Sequence, residues 1–566
     1  MGGPAWKDAG AADPGRLALR EGNLVLVGFS GAGKSSVGRD GAGRLGMPFV
    51  DLDEAVAQRA GASIPELFRA EGEAGFRRRE AEALAALLEP GGRVIALGGG
   101  AWARPEVRAL LGPSDLALWL DLPFEEAWRR VASEPGRPLV EALGEEGLRR
   151  LYEERLPAYG LADGRLAVDG LSVAEAGARL ARWWRARPQA VVRPDVHAPG
   201  YPVHLRPRLL EEAGPIWGEA GVEGDVLVVS QHALEPHAPL LARSLAAAGV
   251  SARWHWMDEG EEAKTPSAVA AIWHAALEMG LDRGGTVVAF GGGVVGDTAG
   301  FAAATFVRGV RWVALPTTLL AQVDAGIGGK VGVNLPQGKN LVGAFHHPRL
   351  VLADPAVLDT LPERERAAGM AEVVKSLLLA GPEPLAGLEA AVEEGLPAWE
   401  PFIVASVRLK AATVACDPRE AGVRAILNLG HTVGHALEAV TGYGRYLHGE
   451  AVAVGLVTAL LLSQRLAGLD PEWTRRTAVL LRRLKLPLDA PALHDPALAP
   501  DFRRALRYDK KARRGEVRFV LLEAPGRPRV GVPVEREAVE EALAQQVRLA
   551  ESLGAAEGPG APGSER

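Results

Sequence analysis

Two histidines, His431 and His435, lie four residues apart in the segment LNLGHTVGHALE. In a helix this spacing places both imidazoles on one face, where they can bind a metal ion or a substrate. Zinc hydrolases with this spacing carry a catalytic glutamate between the two histidines, and here threonine and valine stand in that place. Peptide hydrolysis is therefore not indicated. A catalytic zinc ion usually has about three protein ligands. Glu372 and His448 bring the number of candidate ligands in this half of the chain to four.

A phosphate-binding loop is indicated near the N-terminus by the segment GFSGAGKS. It matches the Walker A pattern at Gly28, Gly33, Lys34 and Ser35, after the strand-like NLVLV and before a helical stretch. Glycines let backbone amides surround the β-phosphate, the lysine reaches the transferred phosphate, and the hydroxyl binds Mg²⁺. The segment therefore predicts a site for a nucleoside triphosphate with Mg²⁺.

A second glycine-rich segment, TVVAFGGGVVGDTAG, has Gly291, Gly293 and Gly296 at the GxGxxG spacing of dinucleotide sites. The downstream segment PTTLLAQVDAGIGGKVGVNLPQGKN is dense in glycine, lysine and hydroxyl side chains, which suits loops around a phosphorylated ligand. In the helical region that follows, Glu372 and Lys375 share one face of MAEVVK. This half of the chain is therefore predicted to combine a metal, a dinucleotide and a phosphorylated ligand.

Composition limits the classes of function. The 566 residues are 48% hydrophobic and 24% charged, and the net charge of -7 argues against a nucleic-acid or anionic membrane surface. The single cysteine, Cys416, excludes an intrachain disulfide and a cysteine-based zinc site, which fits a cytoplasmic location. The longest apolar run, AVAVGLVTALLL, is too short for a membrane span and is predicted to be a buried core helix.

The order of predicted elements indicates an α/β protein made of two halves. Strands alternate with helices around the phosphate loop and again around the dinucleotide motif, and helices dominate afterwards. The segment RPQAVVRPDVHAPGYP contains four prolines and predicts the break between the halves. The predicted divisions are a disordered tail at 1–21, a P-loop domain with a parallel sheet at 22–185, a linker at 186–200, a dinucleotide-binding α/β domain at 201–357, a helical metal- and substrate-binding domain at 358–550 and a disordered tail at 551–566.

Four segments after the phosphate loop, FVDLDEAV, EGEAGFRRRE, ALGGGAW and EPGRPLV, complete a family pattern. In this order they resemble shikimate kinase along most of residues 22–185. The resemblance implies that Asp53 binds shikimate hydroxyls and accepts the attacking proton, with Lys34 and the lid residue Arg137 as further catalytic groups. The implied contacts are Gly31, Ala32, Gly33, Lys34, Ser35, Ser36 and Arg137 for ATP, Ser35 and Asp51 for Mg²⁺, and Asp53, Arg77, Gly99, Gly100 and Arg155 for shikimate.

The second half resembles 3-dehydroquinate synthase over residues 201–550. The segments GGGVVGD, PTTLLAQVDAGIGGK, LPQGKN, GMAEVVK, LNLGHTVGHALE and HGEAV occur in the family's order. The resemblance implies Zn²⁺, or Co²⁺, on Glu372, His431 and His448, with His435 facing the substrate. It also implies NAD⁺ as cofactor, 3-deoxy-D-arabino-heptulosonate 7-phosphate as substrate, and Lys330, Lys375 and His435 as catalytic residues. The adenosine-ribose contact of NAD⁺ is not evident in VVSQHALEP.

Further contacts are implied for both ligands of this half. Those of NAD⁺ are Glu261, Lys264, Gly292, Gly293, Asp297, Thr317, Thr318, Lys330, Lys339 and Thr360. Those of the heptulosonate phosphate are Arg308, Asp324, Lys330, Asn340, Lys410, Arg424, Asn428, His435 and Lys510, where Arg308 would reach over from a second subunit. By resemblance, the phosphate-side contacts are Lys330, Asn340, His435 and Lys510, the contacts to the carboxylate and ring are Lys339, Lys410, Arg424 and Asn428, and Asp324 is a hydroxyl contact near the metal.

The combined resemblance predicts a bifunctional enzyme of aromatic amino-acid biosynthesis, with small-molecule substrates and no nucleic-acid or membrane partner. We expect a homodimer that forms through the synthase half. The alternatives are that this half is another sugar-phosphate cyclase or a metal-dependent alcohol dehydrogenase, and that the kinase half is a binding module without phosphoryl transfer. Phosphate release from the heptulosonate substrate and shikimate-dependent ADP release distinguish them.

One departure bears on the kinase half. Val37, Gly41 and Leu45 share one face of the helix after the phosphate loop, and similar kinases usually carry leucine at position 41. Gly43 adds a second glycine to the same helix, which lowers its helix propensity further. The glycines predict a weakened helix, and Gly41→Leu is expected to stabilise this half if the space beside Gly41 is empty. If a neighbouring side chain already fills that space, the glycine is a packing compensation and the substitution should destabilise.

Overall fold

The computed structural model describes residues 21–132, 138–396, 398–508 and 517–555. The chain forms two compact units, and the boundary between them in the sequence lies between His204 and Leu205. Of the tail predicted at 1–21, only the last residue is among those described.

The first unit contains a parallel sheet of five strands in the order β2-β3-β1-β4-β5. Its strands are β1 (Leu24–Val27), β2 (Phe49–Asp51), β3 (Val94–Ala96), β4 (Leu116–Asp121) and β5 (Gly164–Ala167). The central strand β1 is buried along its whole length, which is why its sequence is continuously apolar. Its helices are Lys34–Leu45, Leu52–Ala60, Ile64–Leu88, Pro105–Arg108, Phe124–Ala132, Pro138–Tyr159 and Val173–Arg185.

The space beside Gly41 is filled. A Cβ atom on Gly41 would lie 2.6 Å from Cδ2 of Leu180, which is buried in the facing helix Val173–Arg185. The expected empty space is therefore absent, so the reason for expecting leucine at position 41 to stabilise this half no longer holds. The glycine compensates for a large side chain on the opposite helix, so it gives no indication that the kinase half has decayed.

Substitutions at Gly41 and Gly43 should change the stability of the first unit in opposite directions. Gly41→Leu should lower its melting temperature, because overpacking a core costs about 1–3 kcal/mol. Gly43→Ala should raise it, because a Cβ there has nothing within 4 Å and alanine gains about 1 kcal/mol of helix propensity. Calorimetry of the full-length variants measures both. An unchanged or higher melting temperature for Gly41→Leu would show that Leu180 can move aside without cost.

The segment at 186–200, which was predicted to be a linker, is folded as part of the first unit. Ala190–Val192 form strand β6, which pairs antiparallel with β7 (Tyr201–Leu205). The N–H of Val191 donates to the carbonyl of Pro113 over 2.8 Å, and the side chain of Val191 is buried in the core of the unit.

Polar contacts fix the same segment to the first unit. The guanidinium of Arg193 is paired with the carboxylate of Asp163 at 2.5 Å, and both side chains are largely buried. Arg193 also donates to the carbonyls of Gly112 and Asp115, over 3.0 and 2.7 Å. Since a buried carboxylate needs a partner, we expect the segment to stabilise the core of the first unit.

The second unit begins with an α/β part. Its parallel strands run in the order β14-β11-β10-β8-β9. Its strands are β8 (Asp225–Gln231), β9 (Ser251–Met257), β10 (Thr286–Gly291), β11 (Arg311–Pro316), β14 (Leu350–Ala353) and the separate hairpin of β12 (Lys330–Leu335) and β13 (Gly338–Phe345). Its α-helices are Leu209–Glu212, Gly214–Glu219, Ala238–Ala247, Pro266–Glu278 and Gly293–Thr305, its 3-10 turns are His232–His237, Glu261–Ala263, Phe306–Arg308 and Pro355–Thr360, and Ala321–Ala325 is a π-helical turn.

A mainly helical part completes the second unit, as predicted. Its helices are Glu363–Ala380, Pro382–Glu393, Glu400–Cys416, His431–Val440, His448–Ala467, Pro471–Arg483, Ala499–Tyr508 and Arg536–Ala555, with 3-10 turns at Val423–Asn428 and Pro491–Leu493. Two features differ from the prediction. A hairpin of β15 (Arg518–Ala524) and β16 (Arg527–Pro533) interrupts the helices, and the last helix continues to Ala555, into the tail predicted at 551–566.

The apolar run AVAVGLVTALLL lies in the helix His448–Ala467, and every residue of it is buried, as predicted. Among the described residues this is the one helix whose length and composition would permit a membrane span. Because most of the helix is packed inside the unit, its apolar character is explained by the core. The predicted α/β class, with a helical domain after the dinucleotide fold, is confirmed.

Candidate active sites

The phosphate loop connects β1 to the helix Lys34–Leu45. Gly28, Gly31 and Gly33 have φ angles of 143°, 84° and 82°, which only glycine adopts readily. No side chain caps the helix start at Gly33, so its first N–H groups remain for an anion. The ammonium of Lys34 donates to the carbonyls of Gly28 and Phe29, over 2.9 and 3.0 Å, and thereby lies inside the loop. This arrangement can hold the phosphates of a nucleotide.

The predicted Mg²⁺ ligands are adjacent. The Ser35 hydroxyl donates to Oδ2 of Asp51 over 2.6 Å. Asp51 ends β2 and caps the next helix by accepting the N–H of Asp53 over 3.0 Å. Hydroxyl and carboxylate oxygens are the ligands that Mg²⁺ prefers.

The predicted acceptor pocket lies beside this loop. A Cβ on Gly100 would lie 2.9 Å from Nη2 of Arg155 and 3.4 Å from Nη2 of Arg77, so both guanidinium groups converge at this glycine. Arg155 also donates to the carbonyl of Gly99 over 2.9 Å. A Cβ on Gly98 would lie 2.8 Å from Oδ1 of Asp53. The structure therefore brings the predicted shikimate contacts together, and two arginines suit a carboxylate.

Glu80 is a residue of this pocket that sequence analysis missed. Its carboxylate is 1% exposed and is paired with Arg77 at 3.1 Å and with Arg104 at 2.5 Å. Because Glu80 is paired with Arg77, it restrains the direction of the guanidinium that is predicted to bind the carboxylate. The signal was present in the sequence, since Glu80 follows Arg77 by three residues on the same helix face.

Kinase activity should rise with pH through an ionisation near pH 6. Burial, with the nearby charges of Asp51 and Glu80, raises the pKa of Asp53 to about 6. Asp53 can accept a proton only when it is ionised, so kcat/KM for shikimate should fall as the pH drops below 6. Glu80→Gln should move this limb to lower pH, because one of the charges that raise the pKa is removed. A limb that stays in place would assign the ionisation to another group.

The metal candidates Glu372, His431 and His448 lie on three different helices. Nε2 of His431 and Nε2 of His448 lie 3.4 and 3.6 Å from Oε1 of Glu372. Two ligand atoms about 2.1 Å from a tetrahedral zinc are about 3.4 Å apart, so the spacing fits the ion. Oε1 of Glu372 is buried and accepts no hydrogen bond, which leaves it available to a cation. Lys375 is paired with the other oxygen of this carboxylate.

A second carboxylate, Glu438, supports the metal set and was not predicted from the sequence. Its Oε2 lies 3.2 Å from Nδ1 of His448, and its Oε1 accepts from Lys339 over 3.0 Å. Nδ1 of His431 lies 3.2 Å from the carbonyl of Leu429. Both ligand imidazoles thus have Nδ1 engaged and Nε2 turned to Glu372, the arrangement that fixes the tautomer for metal binding. Glu438 follows His431 by seven residues on one helix face, which was the available signal.

His435 lies near the same centre without belonging to this set. It is exposed, and its ring lies 5.2 Å from that of His431 and 5.9 Å from that of His448. With Glu438 and His448 it forms a second group of possible ligand atoms, all within 4.8 Å of one another. The first group is more buried and has free ligand atoms facing each other, so it fits a resident metal better.

The helices that carry the metal ligands touch through glycines. A Cβ on Gly449, the residue after His448, would lie 1.8 Å from the carbonyl oxygen of Ala368 in the helix of Glu372. A Cβ on Gly455 would lie 1.9 Å from the carbonyl oxygen of Gly430, the residue before His431. Backbone contacts therefore set the separation of the three ligands.

The buried Lys410 and the partly exposed Asp324 form an ion pair beside the metal set. The Lys410 ammonium donates to both Oδ1 and the carbonyl oxygen of Asp324, each over 2.6 Å. Burial opposes ionisation of Asp324, but Lys410 and Lys375 outweigh it and hold its pKa below the usual range. Burial lowers the pKa of Lys410 to about 8, against the pull of Asp324. Both predicted substrate contacts therefore lie together and are charged near neutral pH.

The dinucleotide motif lies where β10 ends and the helix Gly293–Thr305 begins. Gly292 precedes this helix with no side-chain cap, which leaves N–H groups for a diphosphate. A Cβ on Gly292 would lie 3.0 Å from Cγ2 of Thr318, so a larger residue would crowd the loop. Thr317 follows β11, and Thr360 ends a nearby turn, where its hydroxyl lies 2.8 Å from Nε2 of His237.

Lys264 joins the predicted NAD⁺ residues to the β12–β13 hairpin. Its buried ammonium donates to Asp297 and to the side-chain oxygen of Asn340. Asn334 donates to Glu261 over 2.8 Å and accepts the N–H of Asn340 over 2.9 Å. Asn340 was predicted as a substrate contact and the charged residues as cofactor contacts. Because these residues form one hydrogen-bond network, binding of the cofactor and binding of the substrate would depend on each other.

Two further predicted substrate contacts, Lys330 and Asn428, bind Glu420, which sequence analysis did not identify. Lys330 is ion-paired with Glu420, and Asn428 donates to its Oε1 over 2.9 Å. Arg424 is buried and donates to the carbonyl of Gly328, two residues before Lys330 in the sequence, over 3.2 Å.

The remaining predicted residues are not placed in either site. Arg308 is exposed in a turn where Val307 and Arg308 have φ angles of 40° and 71°, and its side chain makes no hydrogen bond or ion pair with another described residue. Arg137 and Lys510 lie outside the described residues.

Comparison with known proteins agrees with both halves. The family model for shikimate kinase matches residues 30–179, and those for 3-dehydroquinate synthase match 254–368 (N-terminal) and 369–512 (C-terminal). The 3-dehydroquinate synthase of Halorhodospira halophila is 45% identical over 352 residues, which cover 61% of this chain and 97% of that protein.

Two solved structures of ring-forming enzymes resemble the chain. The 2-epi-5-epi-valiolone synthase of Streptomyces hygroscopicus, with NAD⁺ and Zn²⁺ bound, has a TM-score of 0.55 and 29% identity, and the match covers 62% of this chain and 97% of that one. A 2-deoxy-scyllo-inosose synthase in complex with carbaglucose-6-phosphate, NAD⁺ and Co²⁺ has a TM-score of 0.54 and 26% identity, with 61% and 97% covered. The chain therefore belongs to the 3-dehydroquinate synthase family through its second unit and carries a shikimate kinase domain in its first.

Proposed function

We propose that the chain catalyses two reactions of aromatic amino-acid biosynthesis. The first unit phosphorylates shikimate at its 3-hydroxyl with ATP. The second converts 3-deoxy-D-arabino-heptulosonate 7-phosphate to 3-dehydroquinate and releases phosphate. One observation supports the second activity most directly. The potential ligand atoms of Glu372, His431 and His448 lie at the distances from one another that a shared zinc ion requires.

In the kinase, the chain's residues position two anions and accept one proton. The loop around Lys34 holds the nucleotide phosphates, and Ser35 with Asp51 would hold Mg²⁺, which neutralises phosphate charge. Arg77 and Arg155 bind the carboxylate of shikimate, and the ionised Asp53 accepts the proton of the attacking hydroxyl.

In the synthase, Glu372, His431 and His448 would hold Zn²⁺ or Co²⁺, which supplies Lewis acidity to a substrate hydroxyl. The loop at Gly292 and Gly293 would hold NAD⁺, which supplies reversible hydride acceptance. The chain's charged groups orient the substrate. Asp324 and Lys410 face the hydroxyl side, and Lys330, Arg424 and Asn428 face its anionic groups. His435, near the metal but outside its ligand set, is placed to serve proton movement during phosphate elimination.

Metal chelation should separate the two activities. A chelator that removes transition metals and spares Mg²⁺ should abolish phosphate release from the heptulosonate substrate, because the candidate transition-metal ligands among the described residues all lie in the second unit. Shikimate-dependent ADP release should continue at nearly its original rate. Both rates are measured on the same full-length preparation, with added Zn²⁺ restoring the first. Equal loss of both activities would contradict the assignment of the sites.

We also propose that two copies associate through the second unit. Three apolar side chains of β13, Leu341, Val342 and Phe345, are 44%, 39% and 50% exposed, which is unusual for a strand. Within the described part of the chain β13 pairs with β12 in a two-stranded sheet, and the outer edge of such a strand can pair with another chain. Arg308, exposed on a strained turn, is the residue expected to reach the second copy's substrate.

Another sugar-phosphate cyclase activity is the second candidate for this unit. The two matched cyclase structures have 29% and 26% identity to the chain, against 45% for the 3-dehydroquinate synthase. The shikimate kinase domain in the same chain also favours the dehydroquinate reaction. Phosphate release from a hexose or heptose phosphate other than the heptulosonate would reverse this preference.

A further inference from the structure

Glu420 brings a carboxylate into the cluster of Lys330, Arg424 and Asn428 that we assign to the substrate's anionic groups. Lys330 is ion-paired with it, and Asn428 donates to it over 2.9 Å. These are the groups that would bind a phosphate, since an ammonium and an amide N–H both donate to anionic oxygens. A carboxylate therefore occupies a place suited to the ligand's own anion.

The loop that carries Glu420 is built to hold it there. The carboxylate of Asp417 accepts the N–H groups of Ala421, Gly422 and Arg424, over 2.8, 2.7 and 3.0 Å. Glu420 itself has a φ angle of 58°, an unfavourable conformation for a residue with a side chain. Such strain persists only where surrounding contacts impose it, and it often marks a functional position.

The loop is also tied to the residues just before Lys330. The guanidinium of Arg424 donates to the carbonyl of Pro418 in the loop, over 2.7 Å, and to that of Gly328, over 3.2 Å. Glu420 and Lys330 are thus held at a fixed separation. Both side chains are partly exposed, Glu420 by 25% and Lys330 by 47%, so an incoming anion can reach the pair from solvent.

We infer that Glu420 is an internal competitor for the phosphate-binding groups of the synthase. Substrate phosphate displaces its carboxylate from Lys330 and Asn428, and the carboxylate returns to them when inorganic phosphate has been cleaved off. The return weakens the hold on the product and speeds its release. This inference rests on the proposed function for the identity of the phosphorylated ligand, but the competition itself concerns any phosphate anion.

The sign of one substitution separates competition from a purely structural role. Glu420→Gln keeps the size of the side chain and removes its charge, so it should bind inorganic phosphate about tenfold more tightly than the unmodified chain. If the ion pair only orders the loop, the same change should leave phosphate affinity unchanged or weaken it. Glu383→Gln is the matched control, because it removes one negative charge from an exposed side chain without a described partner.

Inorganic phosphate alone is titrated into the full-length chain by calorimetry. A non-hydrolysable ATP analogue with Mg²⁺ is present throughout, so that the phosphate loop of the first unit is occupied. Tighter binding in Glu420→Gln but not in Glu383→Gln supports the inference, and equal or weaker binding in Glu420→Gln overturns it. Absence of cyclisation by the unmodified chain would instead contradict the proposed function, because the titration does not depend on turnover.

Discussion

His431→Ala should remove zinc from the purified chain, whereas His435→Ala should leave it bound. His431 points Nε2 at the shared oxygen of Glu372, while His435 lies outside that set. Loss of a direct ligand should lower zinc affinity by more than the roughly 10- to 100-fold expected for an outer partner. Metal analysis after dialysis against a weak chelator measures the difference. His435→Ala should retain zinc and lose phosphate elimination.

Glu438→Gln extends this test to the outer partner. Glutamine can still accept from Nδ1 of His448 but carries no charge, so zinc affinity should fall roughly 10- to 100-fold without abolishing binding. Glu438→Gln also removes the ionic partner of Lys339. Lys339→Met is therefore the control variant: it removes the same ion pair but keeps the carboxylate of Glu438 next to His448. Zinc loss in His435→Ala together with retention in His431→Ala would place the metal in the second ligand group, with Glu438 as a direct ligand.

A first unit that ends at Arg187 should be far less stable than one that ends at His204. The shorter chain lacks Arg193 and leaves the buried carboxylate of Asp163 without its cation, a loss of about 3 kcal/mol or more. It also removes Val191 from the core. Denaturant unfolding of chains 1–187 and 1–204 measures the difference.

Arg193→Met in the full-length chain isolates the ionic part of this effect. It keeps β6 and Val191 in place and removes only the partner of Asp163. The first unit should unfold at lower denaturant concentration, and shikimate-dependent ADP release should weaken with it. Equal stability of the two shorter chains would mean that the segment is a simple tether, as its prolines suggest.

The elements of the fold were largely predictable because each has a local signal. Buried parallel strands such as β1 are continuous apolar runs, and the phosphate loop is recognisable from the spacing of its glycines. Position 41 was not predictable, since the residue that fills the space, Leu180, lies far along the chain on another helix. The attachment of the segment around Arg193 to the first unit was not predicted for the same reason. Its prolines are a local signal, but its partners, Asp163 and the turn before β4, are not.

The sites show the same limit. Residues within motifs, such as Glu372, His431 and His448, were predicted and lie together. Glu438 and Glu420 act through partners in other segments, and a solvated glutamate on a helix or loop is too common for its type to attract attention. Their burial, hydrogen bonds and backbone conformation distinguish them, and none of these properties is written in the sequence.

The glycine contacts between the ligand-bearing helices have a consequence for how this enzyme can diverge. The aliphatic side chains around the helix His448–Ala467 can be exchanged for one another over generations, because volume-conserving changes in a core cost little. Gly449 and Gly455 have no such freedom. A methyl group at either position would push whole helices apart, while a metal site accepts ligand distances only within about 0.2 Å. The metal site therefore depends on two glycines that are not among its candidate ligands. A descendant that replaces either glycine should lose the cyclase activity, whereas its kinase domain can still be conserved or diverge independently.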